Sequence, residues 1–225
     1  MNKGRVEYAD HAPIEAGFIG LLAACFVGIG EFCLQFSPRG FYEDQAYGFF
    51  LDVGRAQLNL GYALSVFAAP LYLVGYWHLK TMLAPASRLA AWAFFLIGAY
   101  AFVIGAVWIG QRPFMALLVQ AIAAGEAAPS LLTEYAVRNE ILVNVLRAAM
   151  ALTSVIWIGL ILSGRTLYPR WMALLAPALL LAGVFALYAF APAIGVYVLP
   201  TAMNAAHLIV FAASSAVAVM HAAHR

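Results

Sequence analysis

Apolar positions dominate the chain in six long runs, at residues 14–36, 58–79, 89–109, 140–162, 169–190 and 197–220. About 20 apolar residues in helical form cross the ~30 Å hydrocarbon core of a bilayer. The pattern therefore predicts an all-α integral membrane bundle of six transmembrane helices. A seventh apolar stretch, residues 114–125, is too short to cross. It is expected as an interfacial helix or as an extension of the third span, and the count becomes seven if it is re-entrant. The whole chain, 1–225, reads as a single transmembrane helical domain. Residues 37–57 and 110–139 are expected as longer extracytoplasmic loops with interfacial helices.

Breaks in the pattern carry their own signals. Pro70 predicts a kink in the second span, and Gln111-Arg112-Pro113 is expected to end the third. Pro169 suits the first turn of the fifth span. Gly17, Gly20, Ala24 and Gly28 give the first span a stripe of small residues suited to close helix packing.

Composition narrows the class. The chain is 65% hydrophobic and 10% charged, which excludes an ordinary soluble domain and a disordered one. A net charge of +2, without a Lys/Arg run, argues against a nucleic-acid partner. The polar, mixed-charge stretch before residue 14 and the Glu31 in the run after it suit a retained first helix better than a cleaved signal. Cys25 and Cys33 lie eight residues apart, about 12 Å along a helix axis, too far to bridge within it. No zinc-type, nucleotide-type or nucleophile-elbow motif occurs, so no cofactor and no metal are expected.

Charge sets the orientation. Lys3, Arg5, Lys80, Arg88, Arg165, Arg170 and Arg225 fall on one side of the six-span arrangement. Arg39, Arg55, Arg112 and Arg138 fall on the other. The positive-inside rule then puts both termini in the cytoplasm of a cell inner (plasma) membrane.

The candidate chemistry starts from Arg147. Glu140, Asn144 and Arg147 are spaced i, i+4, i+7 and share one face of the fourth span. A guanidinium in lipid costs at least ~2.5–3.5 kcal/mol near a helix centre and seeks a protein interior. Glu31 on the first span is expected as its partner. Depth then gathers Asn59 and Tyr62 of the second span, and Asn204 and His207 of the sixth, into the same outer-leaflet layer. The cytoplasmic half is expected to be nearly dry. Tyr76, Trp77 and His78 read as an interfacial belt.

Two functions fit that layer. One is a membrane-embedded enzyme acting on a lipid-like or isoprenoid-like substrate. Glu31, Glu140 and His207 would be its catalytic acid/base groups, and Arg147, Asn144, Asn204, Tyr62, Asn59 and His78 its substrate-binding groups. The other is a lipid or small-molecule binding, transport or sensor protein without catalysis. A third reading has Arg147 paired only to hold helix register. The partners expected are membrane lipids and a hydrophobic small-molecule ligand, with room for a homo-oligomer.

The segments Gly30-Glu31-Phe32, Ala69 to Leu79 and Tyr168 to Leu175 are similar to an uncharacterised family of small bacterial polytopic membrane proteins. The likeness extends over most of the chain. It implies a six-helix-type bundle and no activity, so it assigns no functional residue. Within these segments, His78 gains weight over what its depth alone gives.

Overall fold

A computed structural model describes residues 14–40, 42 and 47–223. Among them there are helices and no strands: α1 (Ile14–Gln35), α2 (Arg55–Ala68), α3 (Leu71–Leu83), α4 (Arg88–Ala123), α5 (Pro129–Leu162), α6 (Pro177–Phe190), α7 (Pro192–Val198) and α8 (Ala202–Ala223). Short 3-10 turns at Gly48–Asp52, Arg170–Leu175 and Leu199–Thr201 link them. The charges Lys3, Arg5 and Arg225 and the acids Glu43 and Asp44 lie outside the described residues.

Four helical segments are long and apolar enough to cross a membrane: α1, α4, α5 and the run from Pro192 to Ala223. The pair α2 and α3 makes a fifth if taken as one span, bent by 41°. The bend sits at Pro70, which starts α3 and cannot donate to the helix before it. The fifth predicted span is broken instead. Pro169 opens a 3-10 turn rather than a helix, and Pro177 starts α6, only 14 residues long. That is about 21 Å, short of ~30 Å.

Residues 110–139 are mostly helical instead of a loop, and 114–123 extend the third predicted span, one of the two outcomes expected for them. Helix α4 continues through Pro113 to Ala123, and α5 begins at Pro129. A proline forfeits one hydrogen bond but does not end a helix whose apolar face has a neighbour to pack on. Pro129 is at the first helical position, where its missing N–H costs nothing. Gly125, with φ of 76°, makes the tight turn between them. At 36 and 34 residues, these helices run about 54 and 51 Å. They outreach the ~30 Å core by some 20 Å. A second apolar cluster covers this extension: Phe49, Phe50, Val53 and Leu58 against Ile109, Met115, Ala116 and Val119.

The main core is packed by α1, α3 and α8, with Phe94 of α4, Trp157 of α5 and Tyr168 and Met172 closing it. Its small-residue stripe works as the pattern predicts. Gly20 meets Gly75 of α3 so closely that a Cβ added at Gly75 would stand 2.6 Å from the Gly20 Cα. Gly30 meets Gly61 of α2, whose carbonyl would lie 2.8 Å from an added Cβ. Close backbone approach maximises dispersion where no hydrophobic effect acts between helices. The two ends of the bundle are distinct. At one end the Leu167 amide donates to Met82 O (3.0 Å) and His221 meets Leu167 O (2.8 Å). At the other, Tyr188 near the end of α6 packs on Tyr42 and Gly40, just past α1. Helix α6 begins beside Ser154, whose Oγ accepts from the Ala178 amide (2.9 Å).

Candidate functional site

The polar layer forms, but not around Arg147. Arg147 stays on its own helix, donating to Glu140 Oε1 (2.6 Å) and Asn144 Oδ1 (2.9 Å). The two charged side chains are 63% and 52% exposed on the outside of the bundle. The i, i+4, i+7 spacing was enough to satisfy the guanidinium within one helix, so nothing required Glu31 to come to it. Asn59 and Tyr62 are also exposed, on the outer face of α2. The expected cluster therefore loses Glu140, Asn144, Arg147, Asn59 and Tyr62.

Glu31, Asn204 and His207 are brought together, and Tyr72 and Tyr76 of α3 join them. Glu31 is buried, and its Oε2 accepts from the Asn204 amide (2.5 Å). Asn204 Oδ1 accepts in turn from the Tyr72 hydroxyl (2.6 Å). One turn on, the Tyr76 hydroxyl lies 2.9 Å from His207 Nε2, and His207 Nδ1 lies 2.8 Å from Met203 O. A carbonyl only accepts, so Nδ1 carries the proton and Nε2 accepts from Tyr76. Tyr72 packs edge-on to His207 at 5.6 Å between ring centres, and Phe102 of α4 closes the same ring pair.

The cation near Glu31 is Arg112, which sequence reading assigned to the end of a helix. It is 4% exposed. Its Nη2 donates to Gln35 Oε1 (2.6 Å), one turn from Glu31, and Nη1 faces Met115 Sδ (3.4 Å). Gln35 Nε2 donates to Pro200 O (3.2 Å). The rings of Phe50, Trp108, Tyr47 and Phe49 surround the guanidinium at 4.8–5.8 Å. Among the described residues no carboxylate contacts it directly. Among the same residues, Arg112 Nε and the Trp108 indole N–H, one turn earlier, are buried without a hydrogen-bond partner, as is Asn139 Oδ1 on α5. The Tyr135 hydroxyl donates to Gln111 O (3.0 Å), so Asn139, one turn along α5, faces the turn that holds Trp108. Tyr47 enters the covering 3-10 turn at φ 53°, a left-handed conformation that costs a non-glycine residue of order 1 kcal/mol. The signal for Arg112 was present in the pattern. It is an arginine between Trp108 and an apolar run, read as a terminus because Pro113 follows.

The half of the bundle expected to be nearly dry is not. His78 is fully buried, with Nε2 2.8 Å from Ser214 Oγ, and Ser214 also meets the Tyr168 hydroxyl (2.6 Å). Ser215 is buried beside them. His78 and Tyr76 thus leave the predicted interfacial belt, and Trp77 alone remains partly exposed. Lys80, itself buried, places its Nζ 3.2 Å from the Trp77 ring centre and 4.3 Å from that of Trp92. Hydroxyl and imidazole groups one or two turns apart on an otherwise apolar helix give little hydropathy signal.

These features define an all-α bundle with several membrane-length helices and a buried, partly ionisable polar core. A family of unknown function, DUF6796, matches residues 14–220, and the chain belongs to it. No curated protein and no solved structure matches the chain.

Proposed function

We propose that this is a multi-pass protein of the cell inner membrane that binds a hydrophobic, lipid-like molecule by a small anionic head. Arg112 is the head-group contact. One observation carries the reading: among the described residues, a buried guanidinium has no carboxylate in contact, and donors at Nε and at the neighbouring Trp108 indole are left unbonded. An uncompensated buried charge costs several kcal/mol, and a bound anion offsets that cost. Arginine suits a phosphate or carboxylate because its fork presents two donors at once. The aromatic rings around it suit the adjoining hydrocarbon, and the 47–53 segment covers the entry.

Six crossings with both termini cytoplasmic accommodate this site. Helix α6 reaches from the Ser154 level to Tyr42, supporting a sixth, short crossing. The 7:4 division of basic residues supports the orientation. Arg112 then lies at the outer interface, where a head group resides.

The test is lipid analysis of protein purified in mild detergent. An anionic amphiphile is expected to co-purify with wild type and Arg147→Ala. Its yield is expected to drop at least tenfold with Arg112→Gln. Equal yields from all three would remove the reading.

A second reading, acid/base catalysis on the bound molecule, rests on Glu31 and His207 sharing one network through Asn204 and Tyr72. Turnover of an added amphiphile, abolished by Glu31→Gln with binding retained, would separate catalysis from binding.

A further inference from the structure

The buried polar groups of α8 form a column along nearly its whole length. Asn204, His207, Ser214, Ser215 and His221 span 17 residues, about 26 Å of a ~30 Å core. All but His221 are buried. The column has two halves. The outer half holds Glu31, Asn204, Tyr72, His207 and Tyr76, joined by the contacts described above. The inner half holds His78, Ser214, Ser215 and Tyr168. Its far end reaches the surface at His221, which meets the carbonyl of Leu167, next to Tyr168.

One side chain separates the halves. Phe211 is fully buried, one turn past His207 and just short of Ser214. Its ring is wedged where α1 and α3 touch: a Cβ added at either Gly20 or Gly75 would stand 2.7 Å from it. Tyr72, Tyr76 and His207 contact its outer side, with ring centres 5.9–6.3 Å apart.

We infer that this column is a proton pathway through the bundle, closed in this structure by Phe211. Buried carboxylate and imidazole groups in a membrane mark proton relays, and a hydrophobic constriction gates by excluding water. The pathway uses Glu31 but not Arg112 as a group that takes up the proton. It stands apart from the head-group reading.

The step is proton transfer alone. With Phe211 displaced, water enters between the halves. The Glu31 carboxyl releases its proton through water to His207 Nε2, leaving a carboxylate and an imidazolium. His207 passes it through water to His78, which returns it by way of Ser214 and Tyr168 to solvent at the inner end. The Glu31 carboxylate then takes up a proton from the outer side, so one proton enters and one leaves, and no electrons move. The titratable groups facing this route are few. Arg112 and Tyr72 stand near Glu31, Tyr72 and Tyr76 near His207, and Tyr168 across Ser214 from His78. Arg112 is the one permanent cation among them.

The experiment is proton flux into proteoliposomes loaded with a pH-sensitive dye and driven by a valinomycin-set potassium potential. Phe211→Ala is expected to conduct at least tenfold faster than wild type. Phe211→Leu, which fills less of the space but keeps it apolar and supports folding, is expected to conduct at least threefold faster. Adding Glu31→Gln or His78→Phe to either is expected to return flux to the wild-type rate. Two results overturn the pathway: folded Phe211→Leu no leakier than protein-free liposomes, or a leak indifferent to Glu31→Gln. Retained lipid binding in Glu31→Gln, alongside lost flux, separates this pathway from the Arg112 site.

Discussion

Asn204 is the residue through which Glu31 and Tyr72 are both satisfied. Its amide donates to one and its carbonyl accepts from the other. Replacing it by leucine strands both, at about 1–3 kcal/mol for each buried group left unpaired. Asn204→Leu is expected to lower the melting temperature in detergent well below that of Arg147→Ala. The latter removes an exposed pair and is expected to stay within ~1 kcal/mol of wild type. Outside the bundle, Asp52 accepts from Arg39 and from the Ser37 hydroxyl. The Arg39 guanidinium, then the Ser37 hydroxyl, hold the Asp52 carboxyl below its ordinary value. A lowered folded value stabilises above the unfolded value of about 3.9 and is lost as pH falls through the folded one. Amide protection at residues 37–40 and 47–53, corrected for the pH dependence of the intrinsic exchange rate, is therefore expected to be flat from pH 7 to about 5 and to fall below about 4. Asp52→Asn is expected to lose that dependence. At this scale the pattern singled out Glu31, Asn204 and His207, which the bundle brings together. It missed Arg112, because an arginine before a proline looks like a terminus until the helix is seen to continue.

Helices meet in this protein where side chains are absent. Gly75 lies against Gly20 and the Phe211 ring, whereas Gly159 has no heavy atom within 4 Å of an added Cβ. Gly75→Ala is expected to broaden the gel-filtration peak or unfold the protein. Gly159→Ala is expected to leave the melting temperature unchanged or raise it, since alanine is favoured over glycine in a helix interior by about 0.5–1 kcal/mol. The stripe of small residues on α1 was readable because helical spacing alone puts Gly17, Gly20, Ala24 and Gly28 on one face. The ends of helices were less readable. Pro113 sits inside α4, while Pro169 and Pro177 break the fifth run. The same residue type gives opposite outcomes because a helix survives a lost hydrogen bond only where packing on a neighbour compensates.

For the molecule as a whole, the two ends differ in shape. The α4–α5 hairpin outreaches the membrane core, with Gly125 at its tip, and Gly164 turns the chain at the opposite end. In a six-crossing arrangement, single cysteines placed at Gly125 and Gly164, with Cys25 and Cys33 replaced by alanine, label from opposite sides. Impermeant maleimide on intact cells is expected to reach position 125 only. Labelling of both from one side would remove the proposed topology.

Hydropathy and helical spacing determined the class: an all-α chain with several membrane-length helices, because burying a backbone in lipid leaves helices as the economical form. They also determined which face of α1 packs. Tertiary structure decided which polar groups meet. A guanidinium has several ways to be satisfied, and only the packed bundle shows that Arg147 turns to its own helix while Arg112 is enclosed beside Gln35. It also decided that His78, Ser214 and Tyr168 share a buried cluster. Their contacts join residues up to 136 positions apart in sequence, and no local pattern encodes a contact at that separation.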